Sequence, residues 1–299
     1  MSLLTTFKKE HLTQVEIEMR NFLRQQTTDE TLLKSMLYSI DAGGKRLRPL
    51  LLLATITGFE KEIKRGMYQV AAAVEMIHTY SLIHDDLPAM DDDQLRRGLP
   101  TNHVKFGAGI ATLAGDGLLT EAFHLLSQSE LDSDLCLLLV QNLAKASGSF
   151  GMVAGQAADV QAEGKQLQLQ EMTYIHQRKT GALFTFAITA GGLLAQQEES
   201  VVDLLQILAG HLGLAFQIRD DLLDVTATTA QLGKNVGHDA ALNKSTYPAL
   251  LGVDKSYQLF AAELAATKNC IEKLGEVSFA KPDLLLTLIE ELTLEAREK

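Results

Sequence analysis

Tryptophan is absent from the 299 residues, aromatics make up only 6 %, and just two cysteines and five prolines occur. Cys136 and Cys270 cannot build the disulfide framework of a small secreted scaffold and suit a reducing compartment. With prolines only at 49, 88, 100, 248 and 282, long Ala-, Leu-, Gln- and Glu-rich segments run without a helix breaker, and few alternate as strands do. Basic charge is short as well: 27 Lys and Arg against 38 Asp and Glu give a net −11, which argues against a nucleic-acid footprint. No signal-peptide pattern opens the chain, because Leu3-Leu4 runs at once into Thr5 and Lys8-Lys9-Glu10. The longest weakly polar stretch, Ala182 to Ala195, is 14 residues with two threonines and two glycines, short of the ~18 that a membrane span needs. These absences set the expectation of a cytoplasmic protein with no membrane span. No linker and no repeat of about 20–50 residues divides the chain, so one all-α domain over 1–299 is expected.

The apolar pattern predicts helices near 8–26, 29–41, 47–58, 62–86, 108–127, 132–160, 168–196, 199–225, 246–252, 255–274 and 281–297. Asp29 and Ser200 are placed to cap helix N-termini, and Gly58 to stop a helix. The polar, glycine-containing segments 87–106 and 226–245 read as loops able to close over a ligand.

Each of those loops directly follows an acidic cluster. Asp85-Asp86-Leu-Pro-Ala-Met-Asp91 and Asp220-Asp221-Leu-Leu-Asp224 end long apolar stretches about 135 residues apart. Carboxylates gathered beside apolar helices repel one another and resist desolvation, so cations are expected between them. Hard oxygen ligands point to Mg²⁺, and Mg²⁺ points to phosphate. In the second cluster Gln217, Asp220, Asp221 and Asp224 fall at i, i+3, i+4 and i+7, on one helix face that extends back through Gly213 and Gly210. In the first, Asp85 and Asp91 would diverge on an unbroken helix, and Pro88 is expected to end the helix and turn Asp91 back.

Cations suited to phosphate are spread along the chain. Gly43-Gly44-Lys45-Arg46-Leu47-Arg48-Pro49 sets three basic groups at a helix entry, where exposed N–H groups also favour an anion. Arg96-Arg97-Gly98 lies in the first loop, Lys179-Thr180-Gly181 interrupts an apolar helix, and Lys234 and Lys244 follow the second cluster. His78 shares a helix face with Asp85. Arg46 reads as structural, His84, His103 and His176 as structural or unassigned, and Gly148, Gly151 and Gly155 as packing positions. Gln156 and Asp159 are left open as cavity-facing candidates.

These blocks, together with Gly155-Gln156 and Lys244-Ser-Thr-Tyr-Pro248, resemble in order the motifs of the trans-isoprenyl diphosphate synthases, over roughly residues 43 to 250. Among these the short-chain bacterial farnesyl diphosphate synthases are the most similar. The resemblance implies a single-domain, all-α helical bundle of the isoprenoid synthase type around a central active-site cavity, assembled as a homodimer. It implies joining of an allylic diphosphate to isopentenyl diphosphate on three Mg²⁺ ions, with Mn²⁺ as a substitute. Asp85 and Asp91 would hold two ions, and Asp220, with Asp221 or Asp224 nearby, the third; Asp86 would support them, and Asp92 and Asp93 would be solvated neighbours. Arg96, Lys179, Lys234 and Lys244 would grip the allylic diphosphate, and Lys45, Arg48, His78 and Arg97 that of isopentenyl diphosphate. Thr180 and Gln217 would face the carbocation, while Tyr80, five residues before Asp85, and Ser81 would set product length, bulk at Tyr80 favouring C15.

Two further readings stay in view. A C20 geranylgeranyl diphosphate synthase would share all of these motifs, and a non-catalytic subunit of a heteromeric synthase would share the fold but should carry eroded aspartate clusters. A terpene cyclase fits less well, since it needs one diphosphate site and usually an aromatic-lined pocket.

Overall fold

The computed structural model describes residues 2–226 and 245–293. The described residues within 1–53 and 63–141 form one compact unit, and those within 54–62 and 142–299 a second.

The first unit begins with α1, Leu3–Phe7, one π-helical turn, Lys8–Leu12, and α2, Thr13–Gln26, so the first helix starts five residues earlier than its apolar pattern suggests. Helix α3, Glu30–Asp41, is capped as expected by Asp29, whose carboxylate accepts from the Leu32 N–H at 2.7 Å. Helix α4, Leu47–Gly58, begins in this unit and ends at the expected glycine. The unit is built around α5, Arg65–Asp85, which buries Val70 through Ile77 without interruption. Each fully buried Val, Met or Ile of that run contributes about 1.5–3 kcal/mol. Its main partner is α7, Ala108–Ser127, whose Ala111, Ala114, Gly115 and Ala122 let the two backbones approach closely.

Segment 87–106, expected as a loop, contains regular structure. A two-stranded hairpin pairs β1, Leu95–Arg96, with β2, Leu99–Pro100, and a short helix α6, Asn102–Phe106, follows. Arg97 and Gly98 both have positive φ, 55° and 77°, as a type I′ hairpin turn requires. Helix α8, Ser133–Ser147, also begins in the first unit.

The predicted helix 132–160 is two helices, because the chain breaks over 148–151 before α9, Met152–Ala162, in the second unit. Gly148 and Gly151 make that break: a Cβ on either would press on the carbonyl oxygen of Ala144 or Ala146. Helices α10, Leu169–His176, and α11, Ala182–Leu194, are joined by a π-helical turn, Gln177–Gly181. Helix α12, Glu199–Thr226, starts one residue before Ser200, which therefore lies in its first turn instead of capping it. Beyond it come α13, Tyr247–Leu251, α14, Val253–Val277, and α15, Asp283–Glu290. Helix α12 packs against α11, α14 and the π turn.

Helix α12 is also the one described helix long and apolar enough to cross a membrane. Scanning for uninterrupted apolar runs misses it because Asp203 and His211 break the run. Its packing on three neighbours is that of a core helix.

Candidate active site

In the first unit, the end of α5 shapes the first acidic cluster. Pro88 has no N–H to continue the ladder, and the chain folds into a knot of turns instead. The Leu87 N–H reaches the His84 carbonyl at 3.2 Å, that of Asp92 reaches Leu87 at 3.2 Å, and that of Asp91 returns to the Asp85 carbonyl at 2.9 Å. The predicted reversal is therefore present in the backbone. Asp85 and Asp91 are both partly exposed, while Asp86 is 3 % exposed.

Asp86 is held by the hairpin. Arg96 places Nε 2.6 Å and Nη2 2.5 Å from Asp86 Oδ1, and Nη2 also lies 3.1 Å from Asp93 Oδ2. Burial pushes the Asp86 carboxyl upward against the pull of Arg96, and the paired carboxylates hold the guanidinium above its ordinary value despite its desolvation. Asp93, expected as a solvated neighbour, is instead fixed by that pair. Asp92 stays open at 61 %, with His103 Nε2 at 3.6 Å.

Arg97 turns the other way and donates to the Gly43 carbonyl. Its guanidinium lies flat on Gly44, where a Cβ would sit 2.5 Å from Cζ and where φ is +122°. The Gly43-Gly44 turn thereby places Arg97 beside the basic helix entry. Arg46 is 4 % exposed, paired to Glu75 at 2.9 Å and bonded to the Ile40 carbonyl, which fits its structural reading. Lys45 is exposed. Burial lowers the Arg48 guanidinium to about 10, with Glu75 opposing and Arg97 reinforcing the shift. His78 stands among these cations, and desolvation together with Arg48, Arg97, Arg46 and Arg96 keeps its imidazole neutral, well below its usual range.

Tyr80 is 5 % exposed, its ring edge-on to His84 at 5.6 Å, and burial raises its hydroxyl to about 12. Ser81 Oγ donates to the His78 carbonyl at 2.9 Å within the helix.

In the second unit the π turn is what brings the Lys179-Thr180-Gly181 block into play. The widened turn re-aims side chains within α10–α11, a device common at functional positions. It is seated by two glycines: a Cβ on Gly155 would strike the Lys179 backbone, and one on Gly213 would lie 3.1 Å from Gly181 Cα. Gly210 meets nothing within 4 Å, so only Gly213 serves as a close approach on that face.

Around the π turn opens a cavity of about 190 Å³ lined by Asp159, His176, Lys179, Gln217, Asp220 and Asp221, with Met172, Ile175 and Thr246 below. Four sequence-selected residues thus meet in one place. Lys179 Nζ pairs with Asp159 Oδ2 at 2.6 Å, which settles Asp159 as cavity-facing; Gln156 is not part of the lining. Asp220 is the open carboxylate of the cluster, 46 % exposed, with Arg219 at 3.6 Å. Asp221 and Asp224 are buried at 3 % and 2 %, which divides the expected common face into an exposed and a buried edge. Thr180 Oγ1 donates to Gln217 Oε1 at 3.1 Å, Gln217 Nε2 donates to Asp221 Oδ1 at 2.9 Å, and the Tyr247 N–H donates to Asp221 Oδ2 at 3.0 Å.

His176, unassigned from sequence alone, stands three residues before Lys179 on the same stretch, and that spacing is the signal that could have found it. Burial lowers its imidazole to about 4, Lys179 adding to the fall and Asp159 opposing it. Its Nδ1 is buried with no hydrogen-bond partner among the described residues. Lys234 and Lys244 lie outside the described residues.

Among the described residues no three His, Cys, Asp or Glu side chains converge into a closed metal cage. Mg²⁺ keeps several waters and takes one or two carboxylates plus substrate phosphate oxygens. Asp85 and Asp91, partly exposed, and Asp220, exposed, could offer carboxylate oxygens of that kind.

The chain is similar to several known proteins. A farnesyl diphosphate synthase of Bacillus subtilis is 45 % identical over 290 residues, covering 96 % of each chain. A chloroplastic geranylgeranyl pyrophosphate synthase of Catharanthus roseus is 44 % identical over 258 residues, 85 % of this chain and 71 % of that one. A solved geranyltransferase of Helicobacter pylori, described as complexed with magnesium and isoprenyl diphosphate, superposes with a TM-score of 0.85 at 30 % identity, over 98 % of both chains. The fold is the all-α fold of the isoprenoid synthases. Residues 29–278 match the polyprenyl synthetase family model, and with both aspartate clusters, the basic blocks and the fold in agreement, the chain belongs to the polyprenyl synthetase family.

Proposed function

We propose that the protein is a Mg²⁺-dependent prenyltransferase that condenses isopentenyl diphosphate with dimethylallyl or geranyl diphosphate and releases mainly farnesyl diphosphate. The observation that carries this reading is the single cavity holding Lys179, Gln217, Asp220 and Asp221. A carboxylate 4 Å from a diphosphate oxygen is repelled by about 4 kcal/mol per charge pair at an effective dielectric near 20, so aspartates meet a diphosphate only through cations.

Asp85 and Asp91, and for its own ion Asp220, would hold Mg²⁺, with Asp86, Asp221 and Asp224 in support; three Mg²⁺ ions are proposed, replaceable by Mn²⁺. Mg²⁺ held there would neutralise the allylic diphosphate and so supply the leaving-group chemistry. Lys179 and Arg96, with Lys234 and Lys244, bind the same diphosphate. Lys45, Arg48, Arg97 and the neutral His78, which donates or accepts without adding charge, bind the diphosphate of isopentenyl diphosphate. Thr180 and Gln217 turn oxygen atoms toward the positive charge that develops when the allylic carbon–oxygen bond breaks. The double bond of isopentenyl diphosphate attacks that carbon, and the departing diphosphate takes the proton lost on elimination.

Tyr80, buried on α5 below Asp85, limits the product to C15. The C20 reading draws on the likeness to the Catharanthus roseus enzyme, whereas intact clusters leave no support for a non-catalytic subunit. One domain over 1–299, a homodimeric assembly and a cytoplasmic location belong to the same proposal.

The test is kinetic. Asp85→Asn and Asp220→Asn should each lose about 10³-fold in kcat with labelled isopentenyl and geranyl diphosphates while staying folded. Wild-type rates in either variant would remove that residue from the mechanism.

A further inference from the structure

An ionised carboxylate only accepts hydrogen bonds, so the Gln217 atom 2.9 Å from Asp221 Oδ1 is the amide nitrogen. The carbonyl Oε1 must then point to Thr180, whose hydroxyl lies 3.1 Å away. Asp221 is itself held in the plane that does this, because the Tyr247 backbone N–H binds its other oxygen at 3.0 Å. Asp221 is 3 % exposed, which limits competition from water for its own two bonds. We infer that Asp221 is a positioning residue that sets the polarity of the Gln217 amide, fixing carbonyl oxygen and not NH₂ on the Thr180 side. The inference rests on the prenyltransferase reading for its consequence: an oxygen dipole facing developing positive charge helps the reaction, and an NH₂ there opposes it.

The substitution Asp221→Asn reverses that polarity without breaking the network. The Tyr247 N–H can only donate, so the introduced amide turns its carbonyl there and its NH₂ toward Gln217. Gln217 must then flip, offering Oε1 to that NH₂ and its own NH₂ to the Thr180 hydroxyl. Adding Gln217→Glu to Asp221→Asn restores an acceptor on the Thr180 side, because a carboxylate accepts from both neighbours. Gln217→Glu alone sets two carboxylates against each other at 2.9 Å in a buried place.

The experiment is a double-substitution cycle on the full chain with two readouts. In melting experiments Gln217→Glu should lower Tm, and Asp221→Asn in that background should recover it. In steady-state assays with geranyl and isopentenyl diphosphates, Asp221→Asn should lose about 100-fold in kcat with both KM values within about threefold of wild type, and the double variant should regain most of the loss. Titration calorimetry with Mg²⁺ and inorganic diphosphate should give Asp221→Asn an affinity within about threefold of wild type. Independent effects on Tm, an unchanged kcat in Asp221→Asn, or a collapse of Mg²⁺-diphosphate affinity without rescue would each overturn the inference, the last by making Asp221 a metal ligand. Failure of the prenyltransferase reading shows separately, as wild-type protein that forms no condensation product while the Tm cycle still couples the two residues.

Discussion

The backbone N–H of Asp91 lies 2.9 Å from the carbonyl of Asp85, so two aspartates six residues apart in sequence emerge from one closed turn. On a continued helix they would point apart. Pro88 removes the hydrogen bond that continuation would need, and the resulting turn sets the spacing of two proposed metal ligands.

Replacing Pro88 by Ala restores that donor and lets α5 run on. Because a displacement of about 1 Å can cost about 10²-fold in rate, Pro88→Ala should lower kcat between roughly 10- and 100-fold and raise the Mg²⁺ concentration for half-maximal rate. Rate measured against Mg²⁺ concentration checks this; an unchanged curve would show that the turn forms without Pro88.

Gly44→Ala should act on one substrate only. Its Cβ would drive Arg97 from its seat, and φ of +122° strains any side chain. The KM for isopentenyl diphosphate should rise about tenfold, about 1.4 kcal/mol of binding, while the KM for geranyl diphosphate stays within about twofold. Equal rises in both would contradict the assignment of Arg97.

The fold was legible where helical periodicity and punctuation agreed. Asp29 caps α3, Gly58 closes α4, and Pro88 ends α5. It was less legible where a local rule was outweighed. Gly148 and Gly151 read as packing positions inside one long helix, yet their missing side chains make the break between α8 and α9. The hairpin at 95–100 gives almost no periodic signal because its strands are two residues each, although Arg97-Gly98 carries a two-residue turn signal. Charge and spacing select the site residues, and they identify ligands but not partners. The pairing of Arg96 with Asp86 and Asp93, the exposure of Asp220 against the burial of Asp221, and the place of His176 in the cavity all depend on tertiary packing.

His176 predicts an acid-sensitive stability. Its folded value of about 4 lies below the ordinary 6.5, so the unfolded chain binds the extra proton between these values. Stability is therefore full above pH 6.5 and falls as pH drops toward about 4, with a slope of up to about 1.4 kcal/mol per pH unit from this residue. Urea unfolding at about pH 7.5 and about pH 5 should show a smaller loss in His176→Gln than in wild type; equal losses would place the acid sensitivity elsewhere.

The pair of Arg46 and Glu75, with side chains 2 % and 1 % exposed, predicts a large effect on stability. Glu75→Gln leaves a buried guanidinium without its nearer counter-charge and should cost about 3–5 kcal/mol in urea unfolding. A loss below about 1 kcal/mol would mean that Glu16, 3.6 Å from Arg46, takes over the compensation.

Chromatography of the products formed from labelled isopentenyl diphosphate with dimethylallyl or geranyl diphosphate tests the central claim most directly. With Mg²⁺ the account predicts mainly C15 product from either primer, none after complete chelation, and a shift to C20 when Tyr80 is replaced by Ser. Condensation that survives metal removal, or C20 as the main wild-type product, would contradict it.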